Sequence, residues 1–397
     1  MPDTTVKVYD STMSGAPALN GTVGSLVGLL DACLKDGFGS VTLDSLVVSG
    51  NVATATKSAG HNLAMIGNSG PVVTIAGASP SSLNGEWRIA SVPNGTTFTF
   101  ATSGITDQTA TGTITAKRAP LGWTKPYSGT NKAAYLPAVQ YVQCYLRVQD
   151  DSSTPTSANG RWAKVRGYES MSDVDTGTGL FPDATTATNG LTAWKSATSD
   201  STARPWWLAG DGGIFYLGMA ANASNPGVFG GYAFGDINSL KSGDAYSCLL
   251  SAWQAGVDTA PSVFGTAMAF ATLNNYNNTQ VGKYLARTYT QLGTAVACGF
   301  IGDNAVSTYI GGVGGLAYPH PPDNGLLFAP VAVVESSIIR SRALPGLYQP
   351  LHNNPLTHLD TVTDLPDLPG RTLRAFGLST GNTNAAHALI DITGPWR

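Results

Sequence analysis

Almost nowhere does this chain repeat its apolar residues at helical spacing. The clear exception is Val23, Leu26, Val27, Leu30, Cys33 and Leu34, which fall on one stripe of a short helix. Thr22 or Ser25 is placed to cap its start, and Gly37 and Gly39 to stop it. A helix this short and apolar is unstable alone in water, so its stripe has to pack on its own chain or on a neighbour. The rest of the sequence breaks into short runs punctuated by Gly, Pro and Asn. That pattern predicts a mainly β protein.

The runs are most regular between residues 41 and 118. Strands are expected at Ser45 to Val48, Val52 to Lys57, Val72 to Ala76, Glu86 to Val92, Thr97 to Ala101 and Thr111 to Ala116. Pro93-Asn94-Gly95 reads as the turn of a hairpin. In Thr97-Phe98-Thr99-Phe100 every second side chain is apolar, the mark of a half-buried antiparallel strand. Such a segment suits a small immunoglobulin-like β-sandwich without a disulfide.

Pro120-Leu121-Gly122-Trp123 marks a boundary. Beyond it the pattern suits a larger, loop-rich antiparallel β (α+β) domain. Its expected strands are Gln143 to Gln149, Ala163 to Tyr168, Trp206 to Leu208, Ile214 to Met219 and Phe264 to Ala271, with helical patches at Ala133 to Leu136 and Asp244 to Trp253. Residues 271–310 read as a polar insertion. The expected organisation is therefore 1–40 (N-terminal strand, within Thr5 to Tyr9, and amphipathic helix), 41–118 (sandwich), 119–343 (main domain) and 344–397 (extended arm). Six prolines, among them Pro345, Pro350 and Pro395, give the last segment its extended character. Arg371, Arg374, Trp396 and Arg397 make it a candidate for docking on a partner, the alternative being ordered coil laid flat over the 120–340 domain. Leu26, Leu30 and Leu34 form the corresponding candidate interface at the other end.

Composition narrows the function. Charged residues are 12% of the chain, about half the usual share, and the net charge is −3. Without a Lys/Arg cluster, a nucleic-acid binder held by phosphate contacts is not expected. Neither is membrane insertion, because no apolar run approaches ~18 residues; no secretory signal is visible in residues 1–20. The four cysteines (Cys33, Cys144, Cys248, Cys298) are far apart in sequence and read as small buried hydrophobes in a protein made in a reducing cytoplasm.

Catalytic and cofactor signatures are missing: no G-x-S-x-G elbow, P-loop or H-E-x-x-H occurs. The expectation is a protein with no enzymatic activity, no metal and no cofactor. Asp173 and Asp175 open what resembles a calcium loop, but the twelfth position is Ala184, so an EF-hand is not expected; a turn stabilised by Asx hydrogen bonds is the favoured reading, with an irregular ion site as the alternative. A glycan-cleaving site needs two carboxyls across a cleft. Asp211, Asp236 and Asp244 lie near Trp206, Trp207, Phe215, Tyr216 and Phe234, the composition of a sugar platform. On a strand, Trp206 and Trp207 point to opposite faces, so alternation buries one and exposes the other; core aromatics beside Asp-capped turns in Gly-Asp-Gly and Gly-Asp-Ile are the favoured reading over the platform.

Several segments carry a resemblance. Thr5-Val6-Lys7-Val8-Tyr9-Asp10-Ser11-Thr12-Met13 with the following helix, Leu83-Asn84-Gly85-Glu86-Trp87-Arg88, the Tyr168 to Gly179 stretch and the terminal Asp391-Ile392-Thr393-Gly394-Pro395-Trp396-Arg397 resemble a group of tailed-bacteriophage and prophage structural proteins. The resemblance implies a virion component, synthesised in the bacterial cytoplasm, whose partners are other virion proteins and copies of itself. It supplies no catalytic residues. Its expected place is the tail apparatus (tail tip or baseplate), with head decoration or neck as the other location. A host-surface glycan-binding or glycan-degrading module built on Trp206, Trp207 and Asp211 is the competing expectation.

Overall fold

The computed structural model describes residues 2–151, 160–187, 190–222, 224, 226–227, 229–253, 281–301, 317–335, 339–352, 356–378 and 386–397. It is mainly β, with a small curled module and a larger, loop-rich β body. No described helix is long and apolar enough to cross a membrane.

The N-terminal strand, Lys7–Asp10, pairs antiparallel with Trp206–Gly210, Asp10 opposite Trp207. The expected helix follows as Ser25–Leu30, extended by a π-helical turn, Asp31–Asp36. Its caps differ from expectation. Neither Thr22 nor Ser25 caps the start; the Asp150 carboxylate, 124 residues away, accepts the Leu26 N–H at 2.9 Å. An orphan donor of the first turn is thus satisfied from another part of the fold. Leu26, Leu30, Cys33 and Leu34 are buried, whereas Val23 is 41% exposed, outside the stripe.

In the module, eight strands between Phe38 and Arg118 form one sheet. The ten-residue strand Gly85–Asn94 joins its two halves. Residues Gly85 to Arg88 pair with Val72–Ala76, and residues from Ile89 onward pair with Thr97–Ala101. Register shifts after Ile89 and Ser91 bend the strand, and the sheet curls around Leu46, Val48, Ile75, Ile89, Phe98 and Phe100. Thr111 makes only a bridge to Ser79, and the last strand is Thr115–Arg118. Polar contacts fix the module to the body: Lys7 to Glu86 at 2.8 Å, and the Arg88 guanidinium to the Val6 carbonyl at 2.8 Å.

The body is built in layers around four antiparallel strands: Trp206–Gly210, Ile214–Met219, Gly230–Asp236 and Cys248–Trp253. Every residue of all four is buried. One face, with Trp206, Leu208, Phe215, Leu217, Phe234 and Leu250, packs on the helix and on strands Lys132–Leu136, Tyr145–Gln149, Trp162–Tyr168 and Leu191–Trp194. The other face, with Trp207, Ala209, Tyr216 and Leu249, packs on Phe328–Glu335, Ile339–Pro350, Leu373–Leu378 and Ala386–Asp391. A sheet covered on both faces needs apolar residues at consecutive positions, which is why these strands show no alternation.

This layering corrects four expectations. The Ala133 to Leu136 and Asp244 to Trp253 patches are not helical; Lys132–Leu136 and Cys248–Trp253 are interior strands paired on both sides. Within 271–310, Val281–Leu285 and Val296–Ile301 belong to the main sheet. The Phe264 to Ala271 strand lies outside the described residues. The 344–397 segment is not an extended arm: Leu347 pairs with Ile390, and Leu373–Leu378 pairs along its length with Ala386–Asp391. Pro345 is tolerated because the ladder breaks there. Tyr348 pairs with Pro330 and Ala343 with Ala332, leaving the residues between them bulged, with no N–H required of the proline.

Candidate functional site

At one end of the central layer two carboxylates converge. Asp211 directly follows the Trp206–Gly210 strand, and its Oδ1 accepts the N–H groups of Gly213 and Ile214, both at 2.8 Å. This ties the tight Asp211-Gly212-Gly213 turn. Asp236 ends the Gly230–Asp236 strand. Arg397 inserts between them, its Nε 3.2 Å from Asp211 Oδ2 and its Nη1 3.1 Å from Asp236 Oδ2. The same guanidinium donates to the Asp236 carbonyl at 3.0 Å and lies 4.8 Å from the centre of the Tyr141 ring. Tyr141 in turn packs on the glycine turn so closely that a Cβ at Gly213 would sit 2.7 Å from its ring. Burial pushes the Asp236 carboxyl above its ordinary range, against the pull of Arg397.

Beside this cluster an open groove of about 800 Å³ runs between residues 140–143 and 236–247. Its lining is polar and weakly charged: Gln140, Gln143, Asn238, Ser239 and Lys241, with half-buried Tyr141 and Tyr246. The Arg287 guanidinium lies 4.0 Å from the Tyr246 ring centre, so both aromatic rings carry a cation on one face. Asp244 is held by Arg342 Nη2 at 2.8 Å and by the Ser239 hydroxyl at 2.7 Å. Arg342 is fully buried and also grips Glu335 at 2.8 Å.

All three carboxylates flagged by the sequence therefore gather at this end of the sheet, and each is already engaged by an arginine. Such a carboxylate is a fixed hydrogen-bond acceptor, poorly suited to exchanging a proton in a glycosidase cycle. The groove offers amide, hydroxyl and ammonium donors together with fixed acceptors, a set that matches neutral polyhydroxylated ligands.

The other site expectations change more. Trp206 and Trp207 are 1% and 0% exposed, each in a different core, so neither ring offers a face to a sugar. Asp211 is 1% exposed and reaches the groove only through Arg397. Leu26, Leu30 and Leu34 are taken up in the chain's own first core. Arg371 pairs with Asp391 at 3.1 Å, and Arg374 lies 3.8 Å from Asp10. Trp396 donates to the Asp391 carbonyl at 2.7 Å and fills the space a Gly346 side chain would occupy. Of the proposed anchors only Arg397 reaches the groove. Asp175 is occupied by Arg147 and Lys132, and Asp173 accepts the Asp175 N–H at 2.7 Å, which leaves no free carboxylate pair for an ion. Among the described residues no group of three or more His, Cys, Asp or Glu is placed to hold a metal. Gln140, Tyr141, Asn238 and Tyr246 were missed by sequence reasoning; three stand on loops and Asn238 in a two-residue strand, where no spacing rule operates.

No protein-family model matches the chain, and no curated protein matches it. Among solved structures it is similar to the Phage phi92 endosialidase, at 14% identity over 88% of this chain and 56% of that one, with a TM-score of 0.15. A TM-score that low leaves no common architecture to argue from.

Proposed function

We propose that the protein is a surface component of a tailed-bacteriophage virion that binds a host-surface glycan in the groove beside Arg397, without cleaving it. The observation that carries the binding reading is the groove itself: about 800 Å³, open, lined by amides, hydroxyls and two half-buried tyrosines, with its carboxylates already paired. The virion reading rests on the sequence resemblance. The anchors that favoured a purely assembling role are absorbed inside the chain, which moves the weight toward binding. The 38–118 module then serves as a small spacer on the particle, in the manner of immunoglobulin-like inserts.

The test is binding of the full chain to purified host capsular and lipopolysaccharide glycans by calorimetry, with polymer length followed in parallel. Binding is expected without shortening of the polymer, and Tyr141→Ala should weaken it about tenfold, the loss of one ring contact and its hydrogen bonds. Absence of binding to every host glycan sinks the reading, and shortening of the polymer would make the protein an enzyme. A tail-tip or baseplate assembly role remains the second reading, favoured by Val139, Leu240 and Leu292, which are 87%, 63% and 73% exposed.

A further inference from the structure

Beyond Tyr246, at the edge of the groove, lies a second cavity of about 410 Å³. It is enclosed by the end of the Tyr168 to Gly179 stretch, the turn that follows at 180–184 and the 286–295 loop. Arg287 stands between the two. Its guanidinium lies 4.0 Å from the Tyr246 ring centre on one side and lines the second cavity on the other. Glu169, which also lines that cavity, holds the guanidinium through two bonds, Nε to Oε1 at 2.6 Å and Nη2 to Oε2 at 2.7 Å. Gln291 locks the arrangement. Its Nε2 donates to the Gly243 carbonyl at 3.0 Å, its Oε1 accepts the Ala245 N–H at 3.3 Å, and its carbonyl accepts from Arg287 Nη1 at 3.1 Å. Gly243 and Ala245 belong to the groove wall, so wall and loop move as one piece. The Arg287 and Glu169 side chains are 27% and 17% exposed, so a ligand crossing from one cavity to the other touches both.

We infer that the groove and this second cavity are adjoining subsites for one extended, uncharged polysaccharide, bound along its length rather than at its end. The inference rests on the glycan reading of the groove and adds to it the second cavity and the kind of polymer. Both volumes fall in the range of about 300–1,000 Å³ that small-ligand sites occupy, so a single sugar or a chain end leaves one of them unused. A chain that continues over Arg287 fills both. Once the groove holds one stretch, the next meets the second cavity at high effective concentration, and even weak contacts there add to affinity. Those contacts are available: Thr178, Thr294 and Asp183 line the cavity among glycines and alanines. Hydrogen bonds from Thr186 and Thr185 hold the Asp183 carboxyl below its ordinary range, which keeps it an ionised acceptor. The charged side chains lining the two cavities are three basic against four acidic, a balance that gives a polyanion no net attraction.

The experiment is calorimetry of the full chain with size-fractionated oligosaccharides, from the disaccharide upward, cut from the host capsular and lipopolysaccharide glycans. Affinity is expected to rise in two stages, with a further gain of about tenfold or more once the oligosaccharide is long enough to cross Arg287. Ala184→Trp and Thr294→Trp each place a large ring in the second cavity from an exposed position. Either should remove the second gain and leave the affinity for short oligosaccharides unchanged, whereas Tyr141→Ala should weaken binding at every length. Affinity that stops rising at the shortest oligosaccharide bound, or long-chain affinity untouched by both Ala184→Trp and Thr294→Trp, would overturn the second subsite and leave the groove as a glycan site. Tighter binding of a polyanionic glycan than of a neutral one would overturn the uncharged polymer. Failure of every glycan at every length to bind would overturn this inference together with the reading it rests on.

Discussion

The helix is held to the body by one buried ion pair, and its pH dependence is a sharp test of the layered packing. Asp150 and Lys195 have fully buried side chains, with Lys195 Nζ 2.6 Å from Asp150 Oδ1. The Asp150 carbonyl accepts the Gly24 N–H at 2.9 Å, and its carboxylate accepts the Leu26 N–H at 2.9 Å. Lys195 also donates to the Ser25 hydroxyl at 2.9 Å. Burial pushes the Asp150 carboxyl up from 3.8 to about 6, more than Lys195 and the helix N–H groups pull it down. The folded state therefore holds this proton more tightly than the unfolded chain does. The resulting stability is fully present below pH ~3.8 and is lost as pH rises through about 6. At 1.36 kcal/mol per pH unit the difference is about 3 kcal/mol. His358 acts in the opposite sense: burial, then Arg374, lowers it to about 4, so its contribution is present above ~6.5 and lost as pH falls through about 4. A wild-type profile alone would mix the two. The assay is urea unfolding of wild type and of the Asp150→Asn/Lys195→Met double variant between pH 4 and 7.5, taking the difference at each pH. His358 cancels in that difference, which should move by about 2 kcal/mol in favour of the wild type between pH 7.5 and 4, most of the whole effect. Lys195→Met alone should cost about 3–5 kcal/mol at pH 7.5, because it strands a buried carboxylate. A difference between wild type and double variant that stays flat from pH 4 to 7.5 would refute the raised carboxyl.

Two further outcomes follow from the packing. Leu30→Asp, at a side chain bordering an apolar cavity of about 30 Å³, should cost about 3–5 kcal/mol in urea unfolding; wild-type stability would mean the stripe is not core. Deleting residues 371–397 removes two paired strands and one wall of the second core, so the product should aggregate on size exclusion and lose its cooperative melt. A soluble, folded truncation would show that those strands are dispensable.

What the sequence made legible divides by how many faces of an element meet water. The Leu26/Leu30/Leu34 stripe and the Thr97–Ala101 alternation are readable because one side of each is apolar and the other polar. The central layer carries no such contrast. Cys248–Trp253 is a short, mostly apolar run, and periodicity alone does not separate a doubly covered strand from a buried helix. The same blindness turned Trp206 and Trp207 into a half-exposed pair: alternation was right about their opposite faces and wrong about solvent, because both faces are covered. At the C-terminus the prolines argued against strands, yet Pro345 sits in a bulge and its carbonyl accepts the Tyr216 hydroxyl at 2.9 Å.

The sparse charge of the chain also takes on a different meaning once its location is known. Sparse charge by itself suits a surface that assembles with others. Many of the charges present are instead buried at junctions between distant segments. Lys195–Asp150 joins helix to sheet, Arg342 joins Asp244 to Glu335, and Arg397 reaches Asp211 across 186 residues of sequence. Replacing such pairs by apolar residues is often neutral or stabilising, so they are weak evidence for stability as such. Their position supports another role. Apolar faces that are continuous on both sides allow neighbouring strands to slide or exchange, whereas a buried arginine with two carboxylate partners has very few acceptable placements. The groove is built on this constraint, since Arg342 and Arg397 fix the acceptors Asp244 and Asp236 along its length. The residues that set register in the layers are thereby the residues that shape the candidate site. Neither function is visible from spacing in the sequence, because each pair closes only when the whole sheet has folded.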